Sequence, residues 1–304
     1  MVSFRFHLVS LVAVFLALGL GVLTGTTVLN RGIVTQLENN TNQLVETAGR
    51  LREEVRDLQR DVDVWQRFGS EVGTHLIEDR LVTQDAVLIT QEGTDNAAID
   101  RVRRGLETAG AEVRAVLSVD RRMAMAEAGD AQELARVLES EETDPNDLGE
   151  EAAAMLAARL TTGARGPDLL DRLLGSGFLL NRGPGLGLAA LRDIGGPTQL
   201  VVIVAGGTTP PLIEPDRFLV PLVDELAGGG GLVSAGEGST SMYPFVELLR
   251  SDTTLSRLVV TQDNVDELTG EVGLILALED LVEDRRVGHY GVKGGVDGLI
   301  PALP

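Results

Sequence analysis

The sequence predicts an α/β protein with an N-terminal transmembrane helix, a parallel coiled-coil stalk and a Rossmann-like layered extracytoplasmic domain. Three observations carry this prediction. A bilayer-length uncharged run lies near the start, a sevenfold apolar repeat follows it, and short apolar strands alternate with amphipathic helices from Asp85 onward. They divide the chain into an anchor over 1–31, a coiled coil over 32–79 and a Rossmann-like α/β domain over 80–304.

The anchor is Leu8 to Asn30, 23 positions without a charged side chain. A helix needs about 20 apolar residues to cross the hydrocarbon core of a lipid bilayer. The free N-terminus and Arg5 bias positive charge to the first side, although Arg31 follows the run. This places the N-terminus in the cytoplasm and the main domain outside the cell membrane. A cleaved signal peptide is the alternative. Its apolar region would be shorter, about 7–15 residues, and no small-x-small site closes the run. Gly21 and Gly25 form a GxxxG with Gly19 nearby, a pattern that lets two membrane helices approach but is also common in single ones.

In the stalk, Leu37, Leu44, Leu51, Leu58, Trp65 and Val72 recur every seven residues. Thr41, Ala48, Val55, Val62, Gly69 and Leu76 form a second series, four residues after each. The first reads as d and the second as a. Leucine at d with valine at a suits a parallel homodimer. The predicted interface is Leu37, Leu44, Leu51, Val55, Leu58, Val62 and Trp65. Gly69 and Gly73 are expected to end or fray the coil, since each glycine costs about 1 kcal/mol relative to alanine. A helix from Ile33 to Phe68 would be roughly 50 Å long. A single amphipathic helix folded back on the domain is the other reading. The mixed charges from Arg50 to Asp61 fit a solvated helix surface.

From Asp85 the pattern becomes that of a layered sheet. Ala86–Thr90 and Val113–Leu117 read as buried strands around a helix at Asp95–Ala109, with Asp95 as cap and Gly110 as stop. Strand, helix and strand in about 30 residues make a βαβ unit and a parallel sheet. Glu139–Glu151 holds seven acids and no base and is expected to be a solvated loop. Helices are expected to resume at Leu148–Leu160 and Pro167–Leu174. Further strands are expected at Leu200–Val204, Gly231–Ser234 and Leu258–Thr261. Helices are expected at Asp216–Leu226, Tyr243–Arg250 and Val265–Val282.

Composition narrows the function. The formal net charge is −20, from 46 acids against 26 bases. Binding to nucleic acid relies on Lys and Arg neutralising phosphates, so no nucleic-acid partner is expected. One base alone is a lysine, Lys293. The absence of cysteine removes disulfides, Cys-zinc sites and thiol nucleophiles.

Candidate binding residues lie where strands end. In open α/β sheets, ligands sit beyond the carboxyl ends of the strands. These ends carry Gly206, Gly207 and Thr208, then Ser239 in a glycine-serine loop, then Asp263 and Asn264. Backbone amides and hydroxyls there could cradle an anion or a carbohydrate, or the glycines could simply make turns. Gly183, Gly185 and Gly187 are spaced GxGxG, which is not the dinucleotide pattern. GxSxG, HExxH and P-loop patterns are absent, so no enzyme is expected. No cofactor is called for. Copper is the one metal with any candidate ligands, the thioethers of Met123 and Met125, which suit Cu(I), and the imidazole of His289. Packing is the better explanation of the two methionines, which stand beside Arg121 and Arg122, and a structural role is the better explanation of His289 in its glycine-rich tail.

The two ends of the chain carry a resemblance. Met1 to Gly21, followed by the heptads, is one end. The other is Thr261-Gln262-Asp263-Asn264, Gly270, Gly288-His289-Tyr290-Gly291 and Leu299-Ile300-Pro301. Together they resemble the MctB-like copper-transport family, which includes SteB-like envelope proteins. Gln262-Asp263-Asn264 stands where the family usually has Val-Asp-Asn. The resemblance implies copper efflux or homeostasis at the envelope. For SteB-like members it implies pairing with a membrane or envelope partner protein in cell-envelope assembly.

Overall fold

The computed structural model describes residues 4–127, 129–164, 168–183, 191, 193–207 and 209–303, with side chains in the first helix described for 5–25 and from 36 onward. The chain divides into two compact units, Met1–Gln66 and Arg67–Pro304.

The first unit is a single helix. This helix, α1, begins at Phe4 and continues without a break to Ile77. No proline occurs before Pro145, so nothing removes a backbone donor along its length. Arg5–Gly25 is a 21-residue stretch long and apolar enough to cross a membrane. From Leu37 to Val62 both apolar series lie in solvent. Leu44 is 70% exposed, Leu58 57% and Val62 51%.

Gly69 and Gly73 do not fray the helix. They belong to the second unit, where α1 packs on a later helix, α8 (Leu268–Asp284). A methyl group on Gly69 would stand 2.8 Å from Leu268 Cδ2, and one on Gly73 would stand 3.1 Å from Val272 Cγ2. The glycines let two helix backbones approach closely, and the burial of Ile77 and Leu81 just beyond them offsets their helix cost.

The second unit is a doubly covered sheet. Its elements are β1 (Asp85–Gln91), α2 (Asn96–Thr108), β2 (Glu112–Val119), α3 (Asp130–Leu138), α4 (Pro145–Thr162), α5 (Leu169–Ser176) and β3 (Leu179–Asn181). There follow β4 (Leu200–Val204), α6 (Leu219–Gly228), β5 (Leu232–Gly236), α7 (Phe245–Ser251), β6 (Val260–Gln262), α8 and β7 (His289–Tyr290). The strand order is β3-β2-β1-β4-β5-β6-β7. All neighbours are parallel except β2 with β3. Order reverses between β1 and β4, as in a Rossmann-type sheet.

Both faces are packed, which is why the strands read as continuous apolar runs. Val87, Ile89, Leu117, Val201 and Ile203 face α4, α5 and α6. Leu88, Val202 and Leu232 face α2, α8 and Ile77. Asp95 caps α2 by accepting from Ala97 N at 2.9 Å. Half of the acidic segment is helical. Asp144 caps α4, Pro145 fills its first turn, and Asp147 sits where the helix dipole favours a carboxylate. The edge strands β3 and β7 and the helix α3 are additions to the sequence-based expectation. Pro167 and 184–190, with Gly185 and Gly187, lie outside the described residues.

One buried ion pair ties this layer together. Arg159 Nε donates to Asp168 Oδ1 at 2.7 Å and Nη2 donates to Oδ2 at 3.0 Å. The guanidinium also donates to the carbonyls of Ile194 and Leu191, and Asp168 caps α5 through Leu170 N. Asp168→Ala leaves a buried guanidinium without its anion. It should cost about 3–5 kcal/mol, read as a lower denaturant midpoint with an unchanged slope.

Candidate functional site

The expected ligand position in such a sheet is the crevice between β1 and β4. Here it is closed. Asp95 N donates to Gly206 O at 3.1 Å, and Met242 N donates to Gly207 O at 3.0 Å. Tyr243 Oη donates to Gln91 Oε1 at 3.1 Å across the same gap. Burial pushes the Tyr243 phenol well up, so it stays a donor. The remaining void is about 10 Å³, room for at most one water. A methyl group at Gly206 would overlap Ser241 Oγ, and one at Gly207 would overlap Gly93 O. Gly206 (φ +102) and Gly207 therefore hold loop crossings.

The other predicted loop residues are also engaged. Ser239 donates to Asp266 from its backbone N at 2.7 Å and from Oγ at 3.0 Å. Asn264 Nδ2 donates to Thr269 Oγ1 at 3.0 Å and to Glu267 Oε2 at 3.2 Å. Thr208 lies outside the described residues.

An open cleft sits further along, beyond β5 and β6. It is about 470 Å³ and runs between α7 and the segment 293–295, lined by Glu237, Tyr243, Glu247, Arg250 and Lys293. Its floor is a charge network. Arg250 Nη1 donates to Asp263 Oδ2 at 2.6 Å, Nη2 donates to Tyr290 O at 2.8 Å, and Nε donates to Thr261 Oγ1 at 2.9 Å. Asp263 is fully buried and also accepts from Val292 N at 2.7 Å and from Lys293 N. Lys293 Nζ donates to Glu237 Oε1 at 2.7 Å, and Val246 N donates to Glu237 Oε2 at 3.1 Å. Burial raises the Glu237 carboxyl above its usual range, against the pull of Lys293.

Both cations are thus matched by carboxylates. The network holds the segment 288–293 against β6; it is not a bare anion hole. Asp263 was legible as a strand-end residue. The partners Arg250, Glu237 and Lys293 were not, since Arg250 lies 13 positions from Asp263 and Glu237 lies 56 from Lys293. The one available signal was the sole lysine, set between Val292 and Gly294.

The copper candidates do not converge. Met123 is fully buried in the apolar core, and Met125 is nearly so. Both follow β2, whereas His289 lies on β7, five strands along the sheet. At about 4.8 Å per strand, that is roughly 24 Å. The His289 ring is also spent. Nε2 donates to Ser256 O at 3.0 Å, so Nδ1 holds the lone pair, 2.9 Å from Thr261 Oγ1. Burial and nearby Arg250 lower its pKa and keep it neutral. Among the described residues no three His, Asp or Glu side chains cluster to hold a metal.

A family model described as "Copper transport outer membrane protein, MctB" matches residues 1–301. The chain belongs to this family. "Copper transporter MctB" of Mycobacterium tuberculosis (strain ATCC 25618 / H37Rv) is 28% identical over 321 residues, covering 97% of this chain and 98% of the relative. "Copper transporter MctB" of Mycobacterium leprae (strain TN) is 25% identical over 328 residues, covering 98% and 99%. The MctB resemblance at the C-terminal end has a physical basis here, because its two segments meet. Thr261 N donates to Gly288 O and Asp263 N donates to Tyr290 O, each at 3.1 Å. A methyl group at Gly291 would overlap the Asp263 carboxylate, and one at Gly270 would overlap Asn264 O.

Two outcomes follow for this clamp of the segment 288–293 on β6. Lys293→Met leaves the Glu237 carboxylate buried and unpaired, and should cost about 3 kcal/mol. Adding Glu237→Gln should restore most of the loss, read by chemical denaturation of both variants. The lowered His289 pKa gives stability that is complete above about pH 6.5, the unfolded value. It is lost as pH falls through the lower folded value, because the unfolded chain takes up the proton first. His289→Gln should flatten the dependence of stability on pH below about 6.5 relative to the parent chain.

Proposed function

We propose that this chain is a membrane-anchored, extracytoplasmic structural and interaction protein of the MctB family. It dimerises through a coiled coil and binds an envelope partner in cell-envelope assembly, without catalysing a reaction. The single observation that carries this reading is the apolar ridge on α1. Leu37, Leu44, Leu51, Val55, Leu58, Val62 and Trp65 are each more than half exposed. Burying leucines and valines of this kind stabilises by about 1.5–3 kcal/mol apiece, and a second copy supplies a surface of matching period.

Charge supports the parallel arrangement. With Leu37 at d, the g residues Asn40, Thr47, Glu54 and Asp61 would meet Val45, Arg52, Gln59 and Gln66 at e of the second chain. No such pair carries like charges. An antiparallel pair would instead set the two Arg5–Gly25 stretches at opposite ends of the coil. The apolar stretch Arg5–Gly25 would tether both chains from one side of a membrane, with the N-termini cytoplasmic. The acidic charge of −20 argues against nucleic acid as the partner.

Copper efflux or homeostasis is the second reading, favoured by the printed names of the relatives. Here copper would be cargo, and the separation of Met123 and Met125 from His289 favours an indirect part in its handling. Titration of the detergent-solubilised chain with Cu(I) should show no binding tighter than about micromolar. A tighter site that disappears in Met123→Leu/Met125→Leu would favour direct ligation. For the main reading, helix melting followed by circular dichroism should depend on protein concentration, and Leu58→Asp should remove that dependence. Affinity purification of the full chain from membranes should recover a second membrane protein, and recovery of the homodimer alone would contradict the partner.

A further inference from the structure

We infer that α1 changes partner at Gly69: a second copy covers its seam up to there, and α8 of the same chain covers it beyond. This rests on the dimeric coil proposed above. The heptad read from sequence continues past the stalk, with Gly69 and Leu76 at a, Val72 at d and Gly73 at e. In the second unit those a and e positions face the chain's own domain. Leu268 Cδ2 and Val272 Cγ2 fill the space over Gly69 and Gly73, Leu76 packs on the core, and Ile77 is buried in it.

Two helices in a coil pack at axes about 8–10 Å apart, so two occupants cannot share one face. With Gly69 and Leu76 taken on either side of it, Val72 has no paired layer above or below to join. A partner helix that follows the seam through Leu58 and Val62 must leave it there. The glycines are therefore the exchange point, small enough for α8 to replace the second chain. One consequence concerns the cleft at Glu237 and Lys293. It and the whole sheet lie downstream of Gly69, so each copy would build its own.

The chain has no cysteine, so single substitutions report without background. Leu58→Cys, Val62→Cys and Val72→Cys would each be oxidised in the full-length chain in detergent. Disulfides form only where Cα atoms are about 4.4–6.8 Å apart. The expected result is efficient crosslinking through Leu58→Cys and Val62→Cys and at least about tenfold less through Val72→Cys. Val72 is 38% exposed. Its thiol should still react with a small maleimide, which separates distance from access. Equal yields at all three positions would overturn the exchange at Gly69 while leaving the dimer intact. No crosslink at any position would remove the dimer and the exchange together.

Discussion

One constraint governs the N-terminal quarter of the molecule. Ten large apolar side chains between Leu37 and Phe68 are 51–70% exposed on α1, and seven of them keep a heptad spacing. Scattered apolar residues on a surface need no explanation, whereas a continuous stripe marks a contact face. A helix of isolated amphipathic sequence draws little stability from propensity alone and most from packing its apolar face. The proposed dimer supplies that packing. The glycine pair at Gly69 and Gly73 shows what the same helix does when a partner from its own chain is present.

In the second unit, buried charged groups bind one another and the backbone. Asp263 accepts from Arg250 and from two backbone amides while fully buried. Glu237 binds the only lysine from across the cleft. These bonds attach the segment 288–293 to β6. The crevice at the strand reversal is likewise filled, by Tyr243 and two glycine crossings. The two cations that line the 470 Å³ cleft, Arg250 and Lys293, are thus both paired with carboxylates.

Local pattern made the fold legible. Leu200–Val204 was read with its observed limits, and Asp95 was read as the cap of α2. Such features depend on a few adjacent residues. The short strands β3 and β7 escaped because three and two residues carry no period. They are strands only because β2 and β6 offer them backbone partners. The limits of α4 escaped because its first turns are acidic and polar, which reads as loop until Pro145 is recognised as a first-turn residue. The clamp was the least legible part. Its pairs join residues distant in sequence, and no short motif encodes Lys293 meeting Glu237. The predicted ligand loops Gly206, Gly207 and Ser239 were correctly placed at strand ends, yet geometry assigns them to loop crossings and turns.

Family membership and architecture meet at the N-terminal helix. The MctB match runs from residue 1 to 301, so it includes the apolar stretch, the heptads and the clamp together. The dimeric seam is the point on which the proposed role turns, and mass in solution decides it. Sedimentation of the full-length chain in density-matched detergent should give a protein mass of about twice 32.3 kDa. A mass of one chain, held across the concentration range, would contradict it.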